Sequence, residues 1–295
     1  MATATPEAPA GILEECRLQV EQQCGSGAVW EPVTDRFGCM VWRVSGPRGV
    51  CAVKVGREDG AAVVARESVV MERLGGLVPA TSYGKRAQWG RATTTAWLVT
   101  PWLDGPSTWE VFRPVRDGRR EARVHALRAA ADVCAAVGAL HQAGWVHGDV
   151  QPHHVIHTRS GACLVDCSWA WHMTMPPSYG FGGGLVHLMS PELMVRAEKG
   201  LRPLVTTQPD EVYSLAAGLW WAASNRWPVD YRAVGIDPAT LTPIVLRRMR
   251  LERRVPFGEM CDWPELGEAL KQVIEVREDR RPSALQLGQW LMSLM

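Results

Sequence analysis

The chain has 295 residues and sets 32 lysines and arginines against 31 aspartates and glutamates, a formal charge of +1. That balance supplies no global field to gather nucleic acid or anionic lipid, while the length suits one large domain or two lobes with ample apolar surface for a core. Eight cysteines at irregular spacing, none in a C-x-x-C pair, argue against a zinc ribbon or a disulfide framework and for reduced thiols in a cytoplasmic protein.

The opening residues, MATATPEAPAG, lack a basic start followed by an apolar run and read as a frayed tail rather than a secretory signal. GILEECRLQVEQQ, residues 11–23, carries apolar residues at helical spacing and predicts a short leading helix, so residues 1–28 are read as a tail plus a helix. Across 29–101 the pattern becomes β-rich: CMVWRV, GVCAVKV and TTAWLVTP are short strand-like runs, interrupted by one helical stretch from Ala61 to Leu74. Residues 102–295 turn mostly helical. Helices are predicted from Glu121 to Gln142 and near 209–223, 238–251, 264–275 and 283–294. Between them, HVIHT and ACLVD flank RSG and predict a small hairpin. LAAGLWWAA, residues 215–223, is too short to span a bilayer and reads as a buried helix. Fourteen tryptophans are scattered without a basic stripe, which favours core and groove positions over a base-stacking platform.

Just before the hairpin lies WVHGDVQPHHV, residues 145–155, with three histidines and one aspartate between aliphatic residues. Taken with its neighbours, this segment resembles part of a protein kinase. CAVKV resembles the kinase strand that presents a lysine, here Lys54, to ATP phosphates, and Glu67 in ARESVVMERL resembles its ion-pairing glutamate. HGDVQPHHV resembles the catalytic loop H-R-D-x-x-x-x-N, with Asp149 as the base and His154 where asparagine is usual. LVDCS resembles the strand ending in D-F-G, which makes Asp166 the magnesium carboxylate. LMSPEL and REDRRPSA resemble the A-P-E element and its partner arginine, implying a structural pair Glu192–Arg281. LVTPWLDG resembles the hinge, with Thr100 behind the adenine and with the Pro101 carbonyl and Leu103 amide facing the base. Each motif alone has a plainer reading as a turn or an edge charge; their order and spacing carry the resemblance.

The resemblance implies an α+β, bilobal protein kinase-like fold and an ATP- and magnesium-dependent phosphotransferase, with manganese as an alternative ion. The acceptor it implies is a Ser/Thr hydroxyl of a peptide or protein. Departures from the pattern keep two alternatives open. H-G-D is the form seen in the aminoglycoside phosphotransferases, which points to a small alcohol as acceptor. The glycine loop retains Gly38 but has Val33 and Asp35 at the earlier glycine positions, which points to a pseudokinase acting as a binding module. Gly148 removes the arginine that would grip a phosphorylated segment, and Gln151 and Leu185 replace a lysine–threonine contact. His147 is expected as a buried structural residue, His153 as solvent-facing and His154 as a candidate metal ligand. The helix aspartate of the family falls on Glu211, or on Asp210 with a small shift. Arg113, Arg116, Arg119 and Arg120 flank the long helix, where an acidic substrate could dock, although a solvated loop is the plainer reading.

Overall fold

A computed structural model describes residues 8–36, 38–75 and 88–295. The chain divides into two compact units, Met1–Asp104 and Gly105–Met295, a few residues beyond the change of pattern read from the sequence. The architecture is α+β.

In the first unit, α1 (Glu14–Cys24) precedes an antiparallel sheet of β1 (Val29–Arg36), β2 (Cys39–Gly46), β3 (Gly49–Arg57), β4 (Gln88–Arg91) and β5 (Thr95–Pro101), ordered β1-β2-β3-β5-β4. Helix α2 (Asp59–Leu74) follows β3. Strand β3 is central, and its alternation decides what each face does. Cys51, Val53 and Val55 point into a core shared with Trp30, Trp42, Val44, Trp97 and Val99, while Ala52 and Lys54 fall on the opposite face. Helix α1 closes the first face with Cys16, Val20 and Cys24, all buried in the same core. The separation of residues 1–28 from the β-rich part therefore does not describe α1, whose apolar stripe is part of the sheet's own packing. The sequence pattern also underestimated the sheet: β1 and the four-residue β4 gave no clear alternation and were not among the expected runs.

In the second unit, two short helices, α3 (Thr108–Val111) and α4 (Arg113–Arg116), lead into α5 (Arg123–Gln142). The hairpin of β6 (Val155–Thr158) and β7 (Gly161–Leu164) follows, then α6 (Pro191–Glu198), α7 (Gln208–Ser224), α8 (Pro243–Leu251), α9 (Pro264–Glu275) and α10 (Ala284–Met292). Helix α7 is buried along most of its length, as an uninterrupted apolar run requires. Thr207 caps it, with Asp210 completing a capping box. Helix α8 is shorter than expected because Pro243 starts it afresh after a single turn at Pro238–Thr240. Helix α6 was not expected; Ser190 caps it and Pro191 opens it.

One ion pair locks α6 to the segment before α10. The Arg281 guanidinium is fully buried and donates to Glu192 at 3.1 Å and to the carbonyls of Pro209 and Val276 at 3.0 Å each. Removing either partner strands a charge, so Glu192→Ala and Arg281→Ala should each cost about 3–5 kcal/mol. The double variant should lose clearly less than the sum of the two in urea unfolding; simple additivity would show that the two side chains do not couple.

Candidate functional site

The first unit contributes a buried ion pair. Lys54 Nζ lies 2.6 Å from Glu67 Oε2, with the two side chains 15% and 6% exposed. A charge on the interior face of a central strand is unfavourable unless it is paired, and α2 supplies the partner from its buried face, between Val64 and Val70. At the end of β5, Thr100 and Pro101 pair with Ala52 and Cys51. Trp102 donates its amide to the Val50 carbonyl at 3.2 Å, and the half-buried Leu103 follows.

Gly38 lies in the β1–β2 hairpin. It closes the β1–β2 hairpin with φ +72°, a conformation that favours glycine, and its carbonyl accepts from the Arg57 amide at 2.8 Å. The Cys39 thiol bonds the Gly60 carbonyl at 3.7 Å. Gly38 and Cys39 are thus fastened to the junction of β3 and α2.

In the second unit, the loop after α5 is held by buried bonds. Glu211, 1% exposed on α7, accepts from the Gly148 amide at 2.6 Å, the His147 amide at 3.2 Å and the His141 ring at 2.8 Å. Burial by itself would raise its pKa; the His141 bond and charge outweigh that, and the carboxyl is held below its ordinary range. Asp210, the alternative by a small shift, is engaged elsewhere: it caps α7 and bonds Ser190 and Arg196.

His147 is fully buried and joins two segments. Its Nδ1 accepts from the Asp149 amide at 3.3 Å, and its Nε2 donates to the Val165 carbonyl at 3.1 Å. One ring nitrogen accepts and the other donates, so the imidazole is neutral, in keeping with a pKa lowered by burial. The residue tied down at one end is Asp149; at the other it is the neighbour of Asp166. Gly148 sits between them at φ +84°, where a Cβ would come within 2.9 Å of the Trp169 carbonyl. No arginine fits there.

His154 stands between the two carboxylates. Its Nδ1 donates to the Asp149 backbone carbonyl at 3.0 Å and lies 3.5 Å from Asp149 Oδ2, while its Nε2 faces Asp166 Oδ2 at 3.6 Å. Gln151 donates to Asp149 Oδ2 at 3.3 Å, and Ser168 donates to Asp166 Oδ1 at the same distance. Burial pushes the Asp149 carboxyl above its ordinary value, opposed by His154 and reinforced by Asp166. Asp166 itself adopts a left-handed backbone, φ 59° and ψ 55°, the kind of strain that accumulates where side chains must be aimed.

Three features were not legible from the sequence. His141, an ordinary helix-end residue by spacing, is the ring that balances Glu211. Three tryptophans far apart in the chain gather into a ribbon with His187: Trp109 lies 4.8 Å from Trp221, Trp221 lies 4.5 Å from Trp227, and His187 stacks on Trp227 at 4.2 Å. His153 is exposed as expected, yet it stacks 5.2 Å from Trp109. Arg116 is half-buried over Trp109 at 3.8 Å and donates to the Ala222 carbonyl at 2.6 Å, which removes it from a basic docking patch with Arg113, Arg119 and Arg120. Among the described residues, one compact group of three potential metal-ligating side chains occurs, Glu192, Asp210 and Glu278. Arg196 and Arg281 already bond its carboxylates, so it serves the packing of α6.

The pKa directions set a pH response. His147 is depressed, so the folded state rejects its proton and stability should start to fall as pH drops below the unfolded value of about 6.5. Glu211 is also depressed; its contribution is present above the unfolded value of about 4.3 and is lost progressively below it, as pH falls through the lower folded-state value. Thermal melts should therefore show the midpoint declining in two stages on acidification, with the lower stage absent in Glu211→Gln. A midpoint flat from neutrality to pH about 5 would contradict the neutral, buried His147.

No protein-family model matches this chain, and no curated protein is similar to it.

Proposed function

We propose that the chain is a protein kinase-like phosphotransferase that moves the γ-phosphate of ATP to a hydroxyl, with Asp149 as base and Asp166 as metal carboxylate. The observation that carries the reading is the joint fastening of Asp149 and Asp166 by His147, with His154 held against both carboxylates. In the first unit, Lys54, steadied by Glu67, is the cation for the nucleotide phosphates. Thr100, Pro101 and Leu103 are the adenine-side positions, and Gly38, in the β1–β2 hairpin, is the phosphate-side glycine.

A divalent cation at Asp166 supplies charge neutralisation on the phosphates when bound. The residues do the rest. Asp149 accepts the proton of the attacking hydroxyl. Its raised pKa keeps it a stronger base than an ordinary carboxylate, and the Gln151 amide and His154 ring fix its direction. The acceptor is a peptide or protein Ser/Thr hydroxyl, or a small alcohol in the manner of the H-G-D phosphotransferases. A second reading, a nucleotide-binding module without turnover, draws on the β1–β2 tip, which is fastened to Arg57 and Gly60.

Transfer of labelled γ-phosphate to mixed peptides and to small alcohols tests the reading. Asp149→Asn should lower turnover roughly a hundred- to ten-thousandfold with ATP binding little changed; full turnover in that variant would remove Asp149 from the chemistry. Turnover needs the ionised carboxylate, so the acid limb of the wild-type profile should lie above the ordinary aspartate value of about 3.9. Asp166→Asn should weaken nucleotide binding in the presence of metal while leaving metal-free binding unchanged. Equal loss in both conditions would reassign Asp166.

A further inference from the structure

The aromatic ribbon of the second unit runs between two chain segments that meet at Asp149. At one end is His153, in the same loop as Asp149, whose ring stacks 5.2 Å from Trp109 and lies 5.3 Å from Trp221. At the other end is His187, stacked on Trp227 at 4.2 Å. His187 follows closely on Gly184, which lies so near the carboxylate that a Cβ there would come within 3.0 Å of Asp149 Oδ1. The geometry of the rings decides which part of them is open. Trp109 has the His153 ring and the Arg116 guanidinium against it, the latter 3.8 Å from its centroid. Trp227 has Trp221 at 4.5 Å and His187 at 4.2 Å. The faces are engaged by one another, while all three tryptophans stay half-buried and their indole N–H groups find no acceptor among the described residues. What they leave open is their edges, and an aromatic edge is positive and pairs with the negative face of another ring.

We infer that this ribbon is the acceptor subsite and selects a hydroxyl compound that carries an aromatic ring and no cationic group. The inference rests on the phosphotransferase reading and deepens it: among the acceptors left open, it favours a neutral aromatic alcohol over a basic peptide or a cationic amino sugar. The charges around the rings support the choice. Glu110, beside Trp109, is engaged by the amide and hydroxyl of Ser107 at 2.7 and 3.0 Å. Asp230, near Trp227, accepts from the amides of Arg232 and Ala233. Arg116 adds a positive charge behind Trp109, and burial brings the His187 ring down to about 4, so that it is neutral at physiological pH. A cation docked here would gain no counterion from the rings and would meet a guanidinium, whereas the face of a neutral aromatic ring suits the open indole edges.

The probes are 2-(2-naphthyl)ethanol, its saturated decahydronaphthyl analogue and kanamycin, an amino sugar bearing several cations. Each is titrated into the full chain without nucleotide and followed by saturation-transfer NMR. The saturated analogue is at least as apolar, so a merely greasy surface would bind it as well as the naphthyl compound. The expected result is naphthyl binding about threefold to tenfold tighter than that of the saturated analogue, the scale of one aromatic pair, with no displacement by kanamycin. Trp221→Leu should weaken naphthyl binding by a similar factor, and Trp221→Phe, which keeps an aromatic edge, should restore most of it. Thermal melts of both variants establish that they fold, and Trp227→Leu replaces any that does not. Absence of naphthyl binding, equal binding of the saturated analogue, displacement by kanamycin, or a folded Trp221→Leu with unchanged affinity each overturns the inference. These readouts do not depend on turnover. Ring-selective binding with no phosphate transfer to any acceptor would keep the ring-binding site and sink the phosphotransferase reading. Phosphate transfer to a peptide or an amino sugar, with its KM unchanged in Trp221→Leu, would keep that reading and overturn the inference.

Discussion

The buried carboxylate of Glu211 is the constraint on which the second unit's loop depends. A charge with 1% exposure persists only if its lone pairs are filled, and here they are filled by two backbone amides of the loop and the His141 ring. The carboxylate therefore specifies where residues 147 and 148 must be. His147 transmits that placement, because its ring bonds the Asp149 amide on one side and the Val165 carbonyl on the other. A further strand-like bond, from the Val165 amide to the His154 carbonyl at 2.9 Å, closes the same lattice. Each member is satisfied by the next, and networks of this kind are worth more intact than as separate pairs.

The first unit solves a related problem with a different device. An antiparallel sheet covered on both faces cannot leave a lysine on its central strand without a counterion, and α2 brings Glu67 to Lys54 at 2.6 Å. The opposite face is sealed by α1, whose Cys16 and Cys24 pack with Cys51 beneath the strand. Burial pushes the Cys16 thiol up to about 12 and raises Cys51 as well, so these sulfurs behave as small apolar groups rather than nucleophiles.

Much of this was legible in the sequence where periodicity and chemistry coincide. The alternation of GVCAVKV marks both the strand and the one polar side chain that must be compensated. The unbroken run of α7 marks a buried helix, and the likeness of HGDVQPHHV to a catalytic loop set the expectation that His147 is buried and bonds the loop's backbone. What escaped is what depends on long-range contact. Strand β4 is four residues long and gains its identity from pairing with β5. Arg116 looks like a surface cation until Trp109 and the Ala222 carbonyl are placed beside it. The bond that ties the Gly38 carbonyl to the Arg57 amide spans nineteen residues and is likewise invisible in the sequence. Tryptophans separated by more than a hundred residues, such as Trp109 and Trp221, meet in a ribbon that no window on the sequence could reveal.

The loop that carries Asp149 is therefore positioned by interior chemistry and not by a charge that could be added or removed at the surface. An arginine at residue 148 would place its Cβ against the Trp169 carbonyl in a backbone conformation that L side chains rarely adopt. Glycine is required by the same geometry that lets its amide reach Glu211 at 2.6 Å. The missing side chain at residue 148 thus goes together with the loop's tight attachment to α7. Orientation of Asp149 then rests on neighbours within the same turn, Gln151 and His154, whose own backbones are bonded together at 2.9 Å. A loop built this way holds one geometry whatever the state of the surface, because each of its polar contacts is made by another member of the same buried lattice.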